Sequence, residues 1–148
     1  MLVALAGGSG LAPRAPGTFG TVAGVVVYLA LAPLSLPLYL GAVAVVVAVA
    51  IWACGRAARA LGVHDHPSIV ADEVAGYLVT MIAAPPGWPW VLVGFVAFRV
   101  LDIAKPWPIG PIDRRVHGGL GIVADDVVAG LLALAVVQGL AALSRTLV

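Results

Sequence analysis

Charge is the scarcest property of this chain. Lysine, arginine, aspartate and glutamate together make up 10% of its 148 residues, against 62% hydrophobic. A soluble domain is usually about a quarter charged. An apolar soluble helical bundle is the alternative, but the composition and a mean hydropathy of +1.11 point to a membrane. The formal net charge of +1 leaves no basic face of the kind that binds nucleic acid. The single Cys54 excludes an internal disulfide and reads as a small buried apolar residue. The opening MLVALAGGSG lacks a basic n-region, and its apolar core is too short for a signal peptide, so insertion is expected to rest on internal segments. The sequence holds no Walker pattern and no alternating apolar–polar runs of the barrel type.

What is present is a series of continuous apolar runs, which predict an all-α membrane domain over residues 1–148 with about five apolar helices. The Gly- and Pro-dense stretch from Gly7 to Thr21 reads as a loop. Apolar sequence follows from Val22 to Cys54, broken by a turn at Pro33–Pro37, and a polar connector runs from Gly55 to Glu73. The third apolar segment, Val74–Ala84, is short and is expected to dip into the membrane or rest on its neighbours. The fourth covers Val91–Ala104. A second polar connector, Lys105–Gly121, leads to the fifth, Ile122–Leu143.

With five spans, Arg14, Arg56, Arg59, Lys105, Arg114 and Arg115 share one face, and the positive-inside rule makes that face cytoplasmic. Trp88, Trp90 and Tyr39 on the other face, and Trp107 on this one, read as interfacial aromatics or as packing.

The acids fall in or beside the same face. Asp72 and Glu73 open the third segment, Asp102 closes the fourth, and Asp125 and Asp126 open the fifth. ADEVAG and ADDVVAG resemble each other, and each places a glycine four residues after an aspartate, Gly76 after Asp72 and Gly130 after Asp126. Acids at a membrane edge need hydration, a partner or a cation. Converging carboxylates suit a hard divalent ion such as Mg²⁺, so Asp72, Glu73, Asp102, Asp125 and Asp126 are the candidate metal ligands. In FRVLDIAKPW, Arg99 and Asp102 form either a self-neutralising i,i+3 pair or the two sides of a site, with Asp102 on metal and Arg99 and Lys105 on phosphate. Ser9, Thr18 and Thr21 in the glycine-rich N-terminal stretch are weaker phosphate candidates, and His117 is a candidate proton donor. His64 and His66 in HDH give a weak zinc pattern without a thiolate.

Together, GSGLAPRAPGTFGT, DEVAG, FRVLDIAKPWPI and HGGLGIVADDVVAG resemble the phosphatidylglycerophosphatase A family. The resemblance implies a small helical inner-membrane enzyme, multi-pass with a cytoplasmic active site. It would hydrolyse phosphatidylglycerophosphate to phosphatidylglycerol and phosphate with Mg²⁺. By motif it assigns site roles to Asp72, Glu73, Arg99, Asp102, Lys105, His117, Asp125 and Asp126. Ala71 and Ala124 stand where the family usually has a larger aliphatic residue. A CDP-alcohol phosphotransferase needs a D-x₂-D-G-x₂-A-R pattern that the chain does not carry. A small transporter or assembly protein would use the acids as an ion path, and would favour acids in mid-span over acids at segment ends.

Overall fold

The computed structural model describes residues 1–63 and 66–146. A 3₁₀ segment at Ala6–Leu11 precedes six helices: α1 (Pro16–Leu31), α2 (Leu36–Leu61), α3 (Ala71–Thr80), α4 (Trp88–Ala104), α5 (Ile109–Arg115) and α6 (Gly118–Thr146). The all-helical expectation holds, and so do the five apolar helices with a short third. The boundaries differ in informative places. α1 starts at Pro16, because proline's fixed φ and missing N–H suit a first helical turn, so Thr18 and Thr21 are helical and not part of a loop. α2 runs through the expected polar connector as far as Leu61, which puts Arg56 and Arg59 on a helix. The second connector holds α5 and the first turn of α6. His64 and Asp65 lie outside the described residues, and His66 Nδ1 accepts the Ser68 N–H at 3.2 Å.

α2 and α6 are long and apolar enough to cross a membrane. At 1.5 Å per residue they reach roughly 39 and 44 Å, beyond the ~30 Å hydrocarbon core. Only 22% of the most apolar stretch of α2 is buried inside the protein, so this helix presents its apolar surface outward, unlike a soluble core helix. Along α4, Leu92, Val96, Val100 and Ile103 are likewise exposed on one stripe.

α3 is the centre of the bundle. At ~15 Å it is too short to cross a bilayer. Every residue of it except Glu73 is buried, with α1, α2, α4 and α6 packed around it. The closest approach is to α6. A Cβ on Gly130 would strike the Gly76 carbonyl oxygen, and a Cβ on Gly76 would meet the Phe98 ring and the Asp126 carbonyl oxygen. The two glycines four residues after the acids therefore face each other across the α3–α6 crossing. The far end of α3 stops inside apolar surroundings, where loose carbonyls are costly. Side chains satisfy them: Tyr39 Oη donates to the Leu78 oxygen at 2.8 Å, and Gln138 Nε2 donates to the Ile82 and Ala83 oxygens at 3.0 and 2.9 Å. Tyr39 is thus a buried core residue and not an interfacial one, whereas Trp88 and Trp107 are 63% and 82% exposed.

Gln138→Leu should keep the fold but remove both donors to the α3 terminus. The expected loss is about 1–2 kcal/mol at typical net hydrogen-bond values. Equilibrium unfolding in detergent against wild type measures it, and an unchanged midpoint would remove Gln138 from the account of α3.

Candidate active site

α1 and α3 begin, and α4 ends, at the same end of the bundle, and α6 passes it within its first three turns. These elements enclose a cleft of about 300 Å³. Its walls carry Asp72 and Glu73 from the first turn of α3, Arg99 and Asp102 from the last turns of α4, Lys105 at the α4 terminus, and Asp125 and Asp126 from α6. The positive ends of the α1 and α3 dipoles lie here, which favours negative charge. Lys105 takes left-handed backbone angles (φ 42°) just before Pro106, which closes α4 and turns its ammonium back toward α6.

Two of the five acids have basic partners. Arg99 Nη1 pairs with Asp102 Oδ2 at 2.5 Å, and Lys105 Nζ pairs with Asp125 Oδ2 at 2.7 Å. Arg99 and Asp102 thus form the i,i+3 pair of the first reading of FRVLDIAKPW, and that pair lines the cleft. The other three acids, Asp72, Glu73 and Asp126, can each offer one oxygen such that all three lie within 4.8 Å of one another. Asp72 Oδ1, Glu73 Oε2 and Asp126 Oδ2 are buried without a hydrogen-bond partner, and so is the donor Arg99 Nε. The cleft thus holds acceptors that lack a cation beside a donor that lacks an anion.

Burial, followed by the neighbouring Glu73 and Asp126, pushes the Asp72 carboxyl well above the usual carboxylate range. Burial also raises Glu73, aided by Asp102 and opposed by hydrogen bonding from Asp72 and by Arg99. Tight packing maintains the arrangement: a Cβ on Gly17 would collide with Glu73 Oε1 and lie 3.2 Å from both terminal nitrogens of Arg99.

The remaining candidates lie elsewhere. Ser9 Oγ donates to the Leu5 and Ala6 carbonyl oxygens within the 3₁₀ segment. Thr21 is fully buried and donates to the Gly17 oxygen at 2.9 Å. Neither these residues nor Thr18 line the cleft; the N-terminal stretch contributes Ala15, Pro16 and Gly17 instead. His117 is exposed at the foot of α6, with Nδ1 3.1 Å from the Arg115 oxygen, and is also outside the cleft wall. Gly17 is not among the residues the sequence singles out; its place in PGTFG, directly after the helix-starting Pro16, is the available signal.

Clustered carboxylates beside a partly buried guanidinium, at one end of an outward-apolar helical bundle, form a site with an acidic group that could hold a divalent cation. The comparison with known proteins agrees. The family model of phosphatidylglycerophosphatase A matches residues 2–141. The phosphatidylglycerophosphatase A of Escherichia coli (strain K12) is 46% identical over 132 residues, covering 88% of this chain and 77% of the relative. That of Haemophilus influenzae (strain ATCC 51907 / DSM 11121 / KW20 / Rd) is 39% identical over 138 residues, covering 92% and 85%. No solved structure matches the chain. The chain belongs to the phosphatidylglycerophosphatase A family, and with its two candidate spanning helices it is membrane-associated.

The raised carboxyls make stability depend on pH. A native carboxyl pKa above the unfolded value near ~4 means that the folded state binds more protons than the unfolded chain. The stabilisation is complete below that value and is lost as pH rises through the raised native range. In chelator, the melting temperature should therefore be lower at pH 8 than at pH 5, and Asp72→Asn should flatten the slope. An identical slope in the variant would contradict the burial of this carboxyl.

Proposed function

We propose that this protein is a phosphatidylglycerophosphatase that hydrolyses the terminal phosphate monoester of phosphatidylglycerophosphate, giving phosphatidylglycerol and inorganic phosphate. The observation that carries this reading is the pairing of unpartnered acceptors on Asp72, Glu73 and Asp126 with the unpartnered Arg99 Nε in one cleft. Membership of the phosphatidylglycerophosphatase A family supports the lipid substrate.

The acids divide by role. Asp72, Glu73 and Asp126 would hold a divalent cation, and their carboxylate oxygens suit a hard ion such as Mg²⁺. When bound, the cation offsets charge on the transferring phosphoryl group and lowers the pKa of a coordinated water. Asp102 and Asp125 hold Arg99 and Lys105 in place at the cleft wall, and these two cations take the non-bridging phosphate oxygens. Water is the nucleophile: its oxygen forms the new P–O bond, the ester P–O bond breaks, and the glycerol oxygen leaves with the proton that the attacking water gives up. Gly17 keeps the α1 terminus low enough for Glu73 and Arg99 to meet beneath it. His117, outside the cleft, has no part in this scheme.

In the membrane, the charged end of the bundle lies on the cytoplasmic side, since it carries Arg14, Arg56, Arg59, Arg114 and Arg115 while Arg145 stands alone at the opposite end of α6. A substrate with its tails in the bilayer then presents its phosphate at the depth of the cleft.

Phosphate release from phosphatidylglycerophosphate by the purified protein, with and without Mg²⁺, tests the reading. Activity should require the cation, and Asp72→Asn or Asp126→Asn should each lower kcat/KM by about a hundredfold or more while raising the Mg²⁺ concentration for half-activation. Asp102→Asn should lose activity through Arg99, with little change in that concentration. Full activity in chelator would sink the metal site alone, and no release under any condition would sink the phosphatase.

A further inference from the structure

On the other side of α3 from the cleft, a furrow runs along α2, closed by α1 in one part and by the N-terminal residues in the other, and shares no wall residue with the cleft. Ala71 and Val74 of α3 help to line it, whereas Asp72 and Glu73 line the cleft. The furrow has two parts joined at Val3. One is an apolar hollow of about 330 Å³ between Ala23 and Val27 of α1 and Val45 and Val49 of α2. The other, about 450 Å³, lies between the N-terminal residues Met1–Val3 and α2 and ends at Trp52 and Arg56, where the Arg56 guanidinium lies 5.6 Å from the Trp52 ring centroid.

Val45, Val49, Trp52 and Arg56 follow one another by four, three and four residues, so they form one stripe along α2. Val45 and Trp52 are 63% and 60% exposed. From Val45 to Arg56 the stripe climbs roughly 16 Å, the depth of one leaflet of a ~30 Å hydrocarbon core. Apolar residues occupy its deep part, tryptophan the interfacial level and arginine the headgroup level. No carboxylate lines either hollow. A concave apolar track that ends in an arginine, with no acid among the described residues in its walls, matches a single anionic phospholipid. The phosphate would meet Arg56, the ester region Trp52, and one acyl chain would lie along Val49 and Val45 against Val27.

We propose that the α1–α2 furrow is a binding site for one anionic phospholipid, separate from the cleft. An occupant there backs the face of α3 opposite its acids, so bilayer lipid would support the helix that carries Asp72 and Glu73. The proposal needs membrane association but not the catalytic reading, and its test does not use turnover.

Tryptophan fluorescence in phosphatidylcholine nanodiscs tests it, with a minor fraction of phosphatidylglycerol or phosphatidylcholine brominated in the acyl chains. The difference between wild type and Trp52→Phe isolates quenching at Trp52. Brominated phosphatidylglycerol should quench Trp52 about fivefold more effectively than brominated phosphatidylcholine at equal mole fraction, the preference one basic side chain gives at the membrane surface. Arg56→Gln, at an exposed position, should abolish that preference. Val49→Phe should reduce quenching by both lipids, and Asp72→Asn in the cleft should change nothing. Equal quenching by the two lipids, or a preference that survives Arg56→Gln, overturns the proposal. Loss of the preference in Asp72→Asn would place the lipid in the cleft and also overturn it. So would shielding of Trp52 from both lipids, since a second copy of the chain would then be covering the stripe.

Discussion

Five carboxylates drawn into one end of an otherwise apolar bundle are the constraint that the rest of the molecule accommodates. Buried charges that repel one another are expensive, and a fold tolerates them only if each is paired, protonated or bound. Here all three solutions are in use or available. Arg99 and Lys105 neutralise Asp102 and Asp125 directly. Burial holds the Asp72 and Glu73 carboxyls toward their protonated form. The oxygens left over on Asp72, Glu73 and Asp126 are close enough to share one ion. The helix termini of α1 and α3 add a favourable field at the same place.

Bringing those acids together requires a helix that starts at the cleft end of the bundle and goes no further than its job demands. α3 does this, and its shortness creates a second problem at its far end. Tyr39, from α2, and Gln138, from α6, resolve it by donating to carbonyls at and just beyond the end of α3. The same two helices flank α3 along its length, and the α6 approach depends on the absence of a side chain at Gly76 and Gly130. Site and scaffold are therefore one system: the glycine contact fixes the spacing of α3 and α6, and that spacing fixes how far Asp126 lies from Asp72 and Glu73.

Much of this was legible in the sequence, for definite reasons. The acids stood out because charge is rare in the chain, and the repeated Asp–x₃–Gly spacing picked out Gly76 and Gly130, the two glycines that meet at the α3–α6 crossing. The extent of the elements was harder. Arg56 and Arg59 look like loop residues in composition, yet their long side chains let a helix continue past the membrane edge with the charges outside. Glycine and proline made Gly7–Thr21 look irregular, although Pro16 starts a helix there. Thr21 resembled a phosphate ligand until its hydroxyl proved to be spent on the Gly17 carbonyl inside α1. Which acid pairs with which base is a tertiary fact. Nothing local links Lys105 to Asp125, twenty residues on.

The division of charge has a consequence for how the cleft works. Among the described side chains, every acid lines the cleft, and the arginines at positions 14, 56, 59, 114 and 115 are exposed outside it. The outer surface at this end therefore attracts an anionic headgroup, while the cleft itself, with five carboxylates against one guanidinium and one ammonium, carries a formal −3 when fully ionised. A phosphate monoester cannot enter such a site unaided. One divalent cation would reduce that charge to −1. On the proposed reading, cation binding and phosphate binding would reinforce each other, because each relieves the repulsion the other would meet, and the exposed arginines would act on encounter while Arg99 and Lys105 would act on the bound group.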